Sequence, residues 1–379
     1  MSISSDPGPE ASGGSGRAMK LGRDTSVREL LRPLEPFFAL DGVTEVVVNR
    51  ACEVMYEQGA VWVTAAVPDL PHTRLWALAR AIATYTDQDI GPRTPILSAI
   101  LPDGQRIQIV VPPAVAPDTI SLSIRLPTQT LRALADYQAE GAFSRFVWAS
   151  ASVSDDRVAH LDRTDLALVE ALSASDLPAF FSSAIAGRRN IAVVGDTGSG
   201  KTTLMKSLCQ QIPGRERIVT IEDVRELALP NHDNRVHLLY SKGGQGVAEV
   251  RPADLIAACM RMRPDRVLLA ELRGSEAFDF LKLLTTGHSG SITSYHAESC
   301  ALALERYVLM AKEHADAAIF DAEGLKRLVG LTIDIIVHMR AEVSGDGKTK
   351  SRYVSEIHFD PVAKLHHRFG GRDEQGVLP

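Results

Sequence analysis

The chain has 379 residues, of which 45% are hydrophobic and 23% charged, a soluble globular composition long enough for two domains. Its 41 Lys and Arg against 47 Asp and Glu leave a net charge of −6, which gives no support to general nucleic-acid affinity. No apolar stretch reaches the roughly 18 residues that cross a bilayer, and Cys52, Cys209, Cys259 and Cys300 are too far apart for a zinc site or a redox pair.

From Met1 to Gly16 the chain is rich in Ser, Gly and Pro and has neither the basic nor the apolar region of a signal peptide. Residues 1–24 are therefore expected to form a disordered tail. Val27 to Phe38 reads as a short amphipathic helix. Thr44–Asn49, Val54–Glu57 and Val61–Val63 read as strands, with a hairpin turn at Gly59-Ala60. Leu75 to Tyr85 has helical period, and strands follow at Arg106–Val111 and Ile120–Arg125, separated by proline-rich turns. Residues 25–138 are thus expected to form a small α+β domain.

Between Ala139 and Asp162 the pattern weakens into Ala, Ser and mixed charge, the composition of a linker. From residue 163 to 379 apolar strands alternate with helices. Strands are expected at Ile191–Val194, Ile218–Ile221, Val236–Tyr240, Val267–Ala270 and Ser291–Tyr295. Helices are expected at Asp165–Leu172, Leu177–Ala186, Thr202–Gln211, Ala253–Met262, Glu276–Leu284 and Ala301–Ala311. This is the α/β pattern of a nucleotide-binding sheet with helices on both faces.

Gly195 to Thr202, G-D-T-G-S-G-K-T, satisfies the phosphate-loop pattern, with the strand Ile191–Val194 before it and a helix-compatible run from Thr203 after it. Gly195, Gly198 and Gly200 let the backbone curl around an anion, with Asp196, Thr197 and Ser199 between them. Lys201 would reach the outer phosphates of ATP, Thr202 would ligate Mg²⁺, and Thr203 continues the helix that points its positive end at the ligand.

Three further constellations carry candidate chemistry. Arg266–Glu271 is a buried-strand run ending in a carboxylate, so Glu271 is the first candidate to polarise a water, or else a strand-end surface acid. Ile221-Glu222-Asp223 is a second acidic strand end, either a pair of carboxylates supporting hydrated Mg²⁺ or a turn capped by Asp223. Gly287–His296 holds His288 and His296, read either as structural histidines or as sensors of the γ-phosphate.

Taken in order, the phosphate loop, T-I-E-D-V-R-E-L (Thr220–Leu227), R-M-R-P-D-R-V-L-L-A-E-L-R-G (Arg261–Gly274) and G-H-S-G-S-I-T-S-Y-H-A (Gly287–Ala297) resemble the Walker A, Asp, Walker B and His boxes of the secretion or traffic ATPases. L-P-D-G-Q-R-I-Q (Leu101–Gln108) and I-S-L-S-I-R (Ile120–Arg125) look like that family's two arginine-bearing segments, although alone they read as ordinary surface arginines. The R-M-R-P-D-R segment and L-L-Y-S-K (Leu238–Lys242) look most like the type IV secretion branch.

The resemblance implies a RecA-like phosphate-loop domain preceded by a smaller α+β domain, with ATP held between them in a homohexameric ring. It implies that Arg106 and Arg125 neutralise the phosphoryl group on domain closure, that Glu271 positions the water, and that Glu222 and Asp223 support the metal. Thr202, Glu222, Asp223 and Glu271 are the expected metal-side groups. Secretion-system components at the cytoplasmic face of the inner membrane are the expected partners, with peripheral membrane association and no direct nucleic-acid binding. A nucleic-acid motor on the same core fold, and a scaffold that binds ATP without hydrolysing it, are the competing readings.

Overall fold

The computed structural model describes residues 22–127, 131–149, 160–240 and 249–364. The tail expected at 1–24 falls almost entirely outside them, as do Ser241 and Lys242 and the chain beyond residue 364.

The first domain is an antiparallel sheet of β1 (Val43–Arg50), β2 (Glu53–Gln58), β3 (Val61–Ala66), β4 (Ile96–Ile100), β5 (Arg106–Val110) and β6 (Ser121–Arg125), in the order β3-β2-β1-β6-β5-β4. Its strands alternate. Val46, Val48, Val54, Ile107, Ile109, Leu122 and Ile124 are buried on one face with Leu75, Leu78 and Ile82 of the helix His72–Tyr85. That alternation is what a sheet covered on one face requires. The single helix expected over 27–38 is two, Thr25–Leu31 and Glu35–Phe38, interrupted around Pro33, which has no N–H to continue the ladder. On the opposite face one cross-strand row runs Glu57, Glu45, Arg125, Arg106, through the pairs Glu45↔Glu57, Glu45↔Arg125 and Arg106↔Arg125. This charged row is turned toward the second domain: Arg106 pairs with Asp223, and Glu57 with Lys350.

The second domain is built on a sheet of order β10-β9-β11-β12-β8-β13-β14-β7. Here β7 is Val147–Trp148, β8 Ile191–Gly195, β9 Ile218–Glu222, β10 Arg235–Leu239, β11 Arg266–Leu269, β12 Ile292–Tyr295, β13 Ile335–Val343 and β14 Lys350–His358. From β10 to β13 every neighbouring pair is parallel, and β13–β14 is an antiparallel hairpin. Helices cover both faces, so β8, β9, β11 and β12 are buried along their whole length, and β8 reads as an unbroken apolar run. One face packs Leu204, Met205 and Leu208 with Phe180 and Phe181; the other packs Phe280, Leu281, Tyr307 and Val329.

The linker expected at 139–162 needs correction. Tyr137 and Phe143 are buried in the second domain's core, their rings stacked at 5.1 Å, with Phe143 5.7 Å from Phe181. Val147–Trp148 pairs with β14, and the Trp148 indole donates to the Phe359 carbonyl at 2.9 Å. The helix Leu134–Ala139 and residues 140–149 therefore belong to the second domain. Leu126 still packs on the first core, so the passage between domains lies between 126 and 134. The Ala/Ser composition hid this because the anchors are isolated aromatics whose partners lie far along the chain. Residues 150–159 are outside the described set.

Candidate active site

In a parallel sheet, loops at the carboxyl ends of neighbouring strands meet along one edge. Here β8, β12, β11 and β9 are consecutive neighbours. Their carboxyl ends carry, in turn, the phosphate loop, His296, Glu271 and Asp223.

The loop is built around two backbone demands. Gly195 has φ +145° and lies against β13, where a Cβ would come 2.2 Å from the Met339 carbonyl oxygen. Gly200, at φ +96°, caps the helix Lys201–Cys209; at this torsion a Cβ is strained. Asp196 and Thr197 are exposed, Gly198 is partly buried, and the buried Ser199 donates to the Asp196 carbonyl at 2.8 Å. Lys201 folds back onto the loop. Its ammonium donates to the carbonyls of Gly195 at 2.7 Å and Asp196 at 2.8 Å, and lies 3.4 Å from His296 Nδ1. Burial pushes the Lys201 pKa down to about 8; Glu271 opposes this, and the nearby charge of Arg125 adds to it.

Glu271 sits just past the end of β11. Its Oε1 is 3.1 Å from His296 Nε2, and its Oε2 accepts from Arg273 Nε at 2.8 Å and from Arg273 Nη2. Burial alone would raise the carboxyl pKa, but the hydrogen bonds and charges of His296 and Arg273 outweigh it and bring it to about 2. Glu271 is therefore ionised at neutral pH, and the contacts that keep it so also weaken it as a proton acceptor. A cavity of about 260 Å³ opens beside it, lined by Glu271, Leu272, Arg273, His296, Arg306 and Met310.

Arg106 reaches across from the first domain. Its Nη2 lies 2.8 Å from both Asp223 Oδ1 and Glu226 Oε1. Arg125, its register partner on β6, is exposed.

Glu222 and His288 stand differently from the sequence expectation. Glu222 is fully buried. It accepts from Thr220 Oγ1 at 2.6 Å and from the N–H groups of Glu226 and Leu227 at 2.8 Å each, and lies 3.0 Å from His237 Nδ1. Three protein donors and the adjacent His237 ring make it the anchor of the Asp223–Leu227 turn. His288 precedes β12, so it lies at the amino end of the sheet, the length of a strand from Lys201. There its Nδ1 is 3.4 Å from Thr286 Oγ1, and its carbonyl accepts from Ser291 Oγ at 2.9 Å. The two histidines expected to act together occupy opposite ends of one strand.

Lys350 and Arg352 escaped the sequence reading. The β13–β14 hairpin lays them over the loop: Arg352 Nε donates to the Gly198 carbonyl at 2.8 Å, and Lys350 Nζ is 3.5 Å from Glu57 Oε1 of the first domain. Nothing local marks them, since their approach depends on the pairing of β13 with β8. Arg273 was visible only as a letter within the third box.

The Thr202 hydroxyl is half-buried in the first turn of the helix and makes no side-chain hydrogen bond to a described residue. Among the described residues no group of three or more His, Cys, Asp or Glu forms a closed metal cage. A single free hydroxyl without a cage suits Mg²⁺, which keeps its waters and binds through phosphates.

A family model described as "Type II/IV secretion system protein" matches residues 156–339. The type IV secretion system protein VirB11 of Brucella suis biovar 1 (strain 1330) is 45% identical over 344 residues, covering 90% of this chain and 92% of the relative. The crystal structure of the Brucella suis VirB11 ATPase in complex with sulphate matches 91% of this chain and 98% of its own, at 43% identity and a TM-score of 0.51. The Legionella pneumophila ATPase DotB, at 15% identity and a TM-score of 0.56 over 90% of this chain and 88% of its own, shares the fold. With residues from all four boxes brought to one sheet edge and this similarity over nine-tenths of its length, the chain belongs to the VirB11 family of type IV secretion ATPases.

Proposed function

We propose that this chain hydrolyses ATP to ADP and phosphate with Mg²⁺, as a homohexameric motor energising type IV secretion. The observation that carries the reading is the convergence of Lys201, Glu271 and His296 within hydrogen-bonding distance at the carboxyl edge of the sheet, with Arg106 arriving from the other domain.

In this reading the loop N–H groups and Lys201 hold the outer phosphates, with the lysine leaving the carbonyls of Gly195 and Asp196 to do so. Thr202 is the protein ligand for Mg²⁺, which when bound neutralises charge on the phosphate oxygens. Glu271 accepts the proton of a water as its oxygen bonds to the γ-phosphorus and the bond to the bridging oxygen breaks. His296, between Lys201 and Glu271, reports the γ-phosphate. Arg106 and Arg125 stabilise charge on the phosphoryl oxygens, an effect worth about 10³–10⁵ in rate when an arginine serves phosphoryl transfer. Asp223 would face waters around a bound metal, and Glu222 fixes the turn that carries Asp223. Release of phosphate frees the arginines, and the first domain moves.

The sulphate named with the Brucella suis relative is an anion of phosphate's shape, in keeping with an anion-binding loop. No helix among the described residues is long and apolar enough to cross a membrane, so association with the cytoplasmic face of the inner membrane would be peripheral, through secretion-system partners. The test is single-turnover ATP hydrolysis by the wild-type protein and by Lys201→Ala. Hydrolysis abolished by the substitution supports the site, whereas equal rates would place it elsewhere.

A further inference from the structure

The charged groups around Glu271 form an unbroken chain from one domain to the other. Arg106 Nη2 is 2.8 Å from Asp223 Oδ1, and Asp223 Oδ2 is 3.3 Å from Arg273 Nη2. That same nitrogen, together with Nε, binds Glu271 Oε2. Glu271 Oε1 then meets His296, which meets Lys201. Asp223 and Glu271 thus share one guanidinium, and at present Glu271 holds most of it.

We propose that Arg273 is a positioning residue that withholds Glu271 from water until Arg106 leaves Asp223 for the nucleotide. This deepens the ATPase reading and rests on it. Arg273 touches both carboxylates, but its closer contacts, from Nε and Nη2, go to Glu271, and its contact with Asp223 is the longer one at 3.3 Å. While Arg106 sits on Asp223 and Glu226, Asp223 is already compensated, and Arg273 points its fork at Glu271. Transfer of Arg106 to the phosphates strips Asp223 of its shorter ion pair. In a partly buried site that loss is large compared with thermal energy, so Arg273 turns its fork to Asp223. Glu271 Oε2 is released, while His296 keeps Oε1 and holds the carboxylate in place. The chain therefore makes the base available only when the first domain has closed on substrate, and keeps Glu271 engaged while Arg106 stays on Asp223.

The experiment uses the full-length protein and four forms: wild type, Asp223→Asn, Arg273→Gln and the double variant. Wild-type and Lys201→Ala turnover decide the ATPase reading by themselves; a wild type without hydrolysis removes that reading, independently of the variants. Given hydrolysis, Asp223→Asn leaves Arg273 no second carboxylate, so kcat should fall about 10- to 100-fold while affinity for a fluorescent ADP analogue stays within about two-fold. Adding Arg273→Gln should then recover turnover by at least about five-fold over Asp223→Asn alone. A double variant as slow as Asp223→Asn, or slower, overturns the proposal. If Asp223→Asn fails to bind the ADP analogue, a second cycle decides. Arg106→Ala already leaves Asp223 to Arg273, so adding Arg273→Gln to Arg106→Ala should leave kcat within about two-fold, and a change of about five-fold or more in either direction overturns the interlock.

Discussion

The ammonium of Lys201 donates to the carbonyl oxygen of Gly195 at 2.7 Å, so the lysine of the phosphate loop is bound by its own loop. Burial holds its pKa near 8, below the 10.5 of a free lysine. Between about pH 8 and 10.5 the unfolded chain therefore binds more protons at this residue than the folded one, and the lysine's contribution to stability improves as pH rises through that window. A phosphate dianion restores the charge, so nucleotide binding above pH 8 should take up a proton. Calorimetry of ADP binding at pH 8.5, in two buffers of different ionisation heat, should show buffer-dependent enthalpy, with affinity weakening as pH increases further. Identical heats in both buffers would contradict this account.

His296 and His288 provide a sharp comparison. His296 touches both Glu271 and Lys201, whereas among the described residues His288 hydrogen-bonds only within its own turn. His296→Ala should lower kcat by about 10²- to 10⁴-fold, the range of general acid–base groups. His288→Ala should leave nucleotide affinity unchanged and kcat within about three-fold. Equal losses for the two variants would show that the separation along β12 does not matter.

Arg352 ties the hairpin to the loop through Gly198. A hydrogen bond from a charged donor contributes about 1.5–3 kcal/mol, part of which is lost as loop order. Arg352→Ala is expected to weaken ADP binding about three- to ten-fold, with Lys350→Ala weaker in effect because its ion pair with Glu57 is longer, at 3.5 Å. Titration with a fluorescent ADP analogue measures both.

Phe143 tests where the second domain begins. It is 1% exposed and packs between Tyr137 and Phe181. Phe143→Ala should cost about 3–5 kcal/mol, the range for a buried aromatic, and lower the melting temperature of the domain that binds ADP. A residue in a free linker would leave that temperature unmoved.

Chemical identity was legible in the sequence. Gly195, Gly200 and Lys201 meet local demands of backbone torsion and anion geometry, so eight consecutive residues announce a phosphate site. Strand runs such as Ile191–Val194 were equally plain, because burial on both faces leaves an uninterrupted apolar stretch. Tertiary structure decided which of these groups meet. His288 and His296 lie in one motif, yet a buried strand carries them to opposite edges. Phe143 and Trp148 sit in a linker-like stretch and Tyr137 at the expected end of the first domain, yet aromatic packing and pairing with β14 draw them onto the second core. Lys350 and Arg352 gain their place from the pairing of β13 with β8. Such contacts join residues far apart in the chain, and their energy comes from burial and strand pairing, which depend on partners and not on neighbouring letters. The chain's chemistry is local, whereas the coupling of Arg106 to Glu271 exists only where two domains fold against each other.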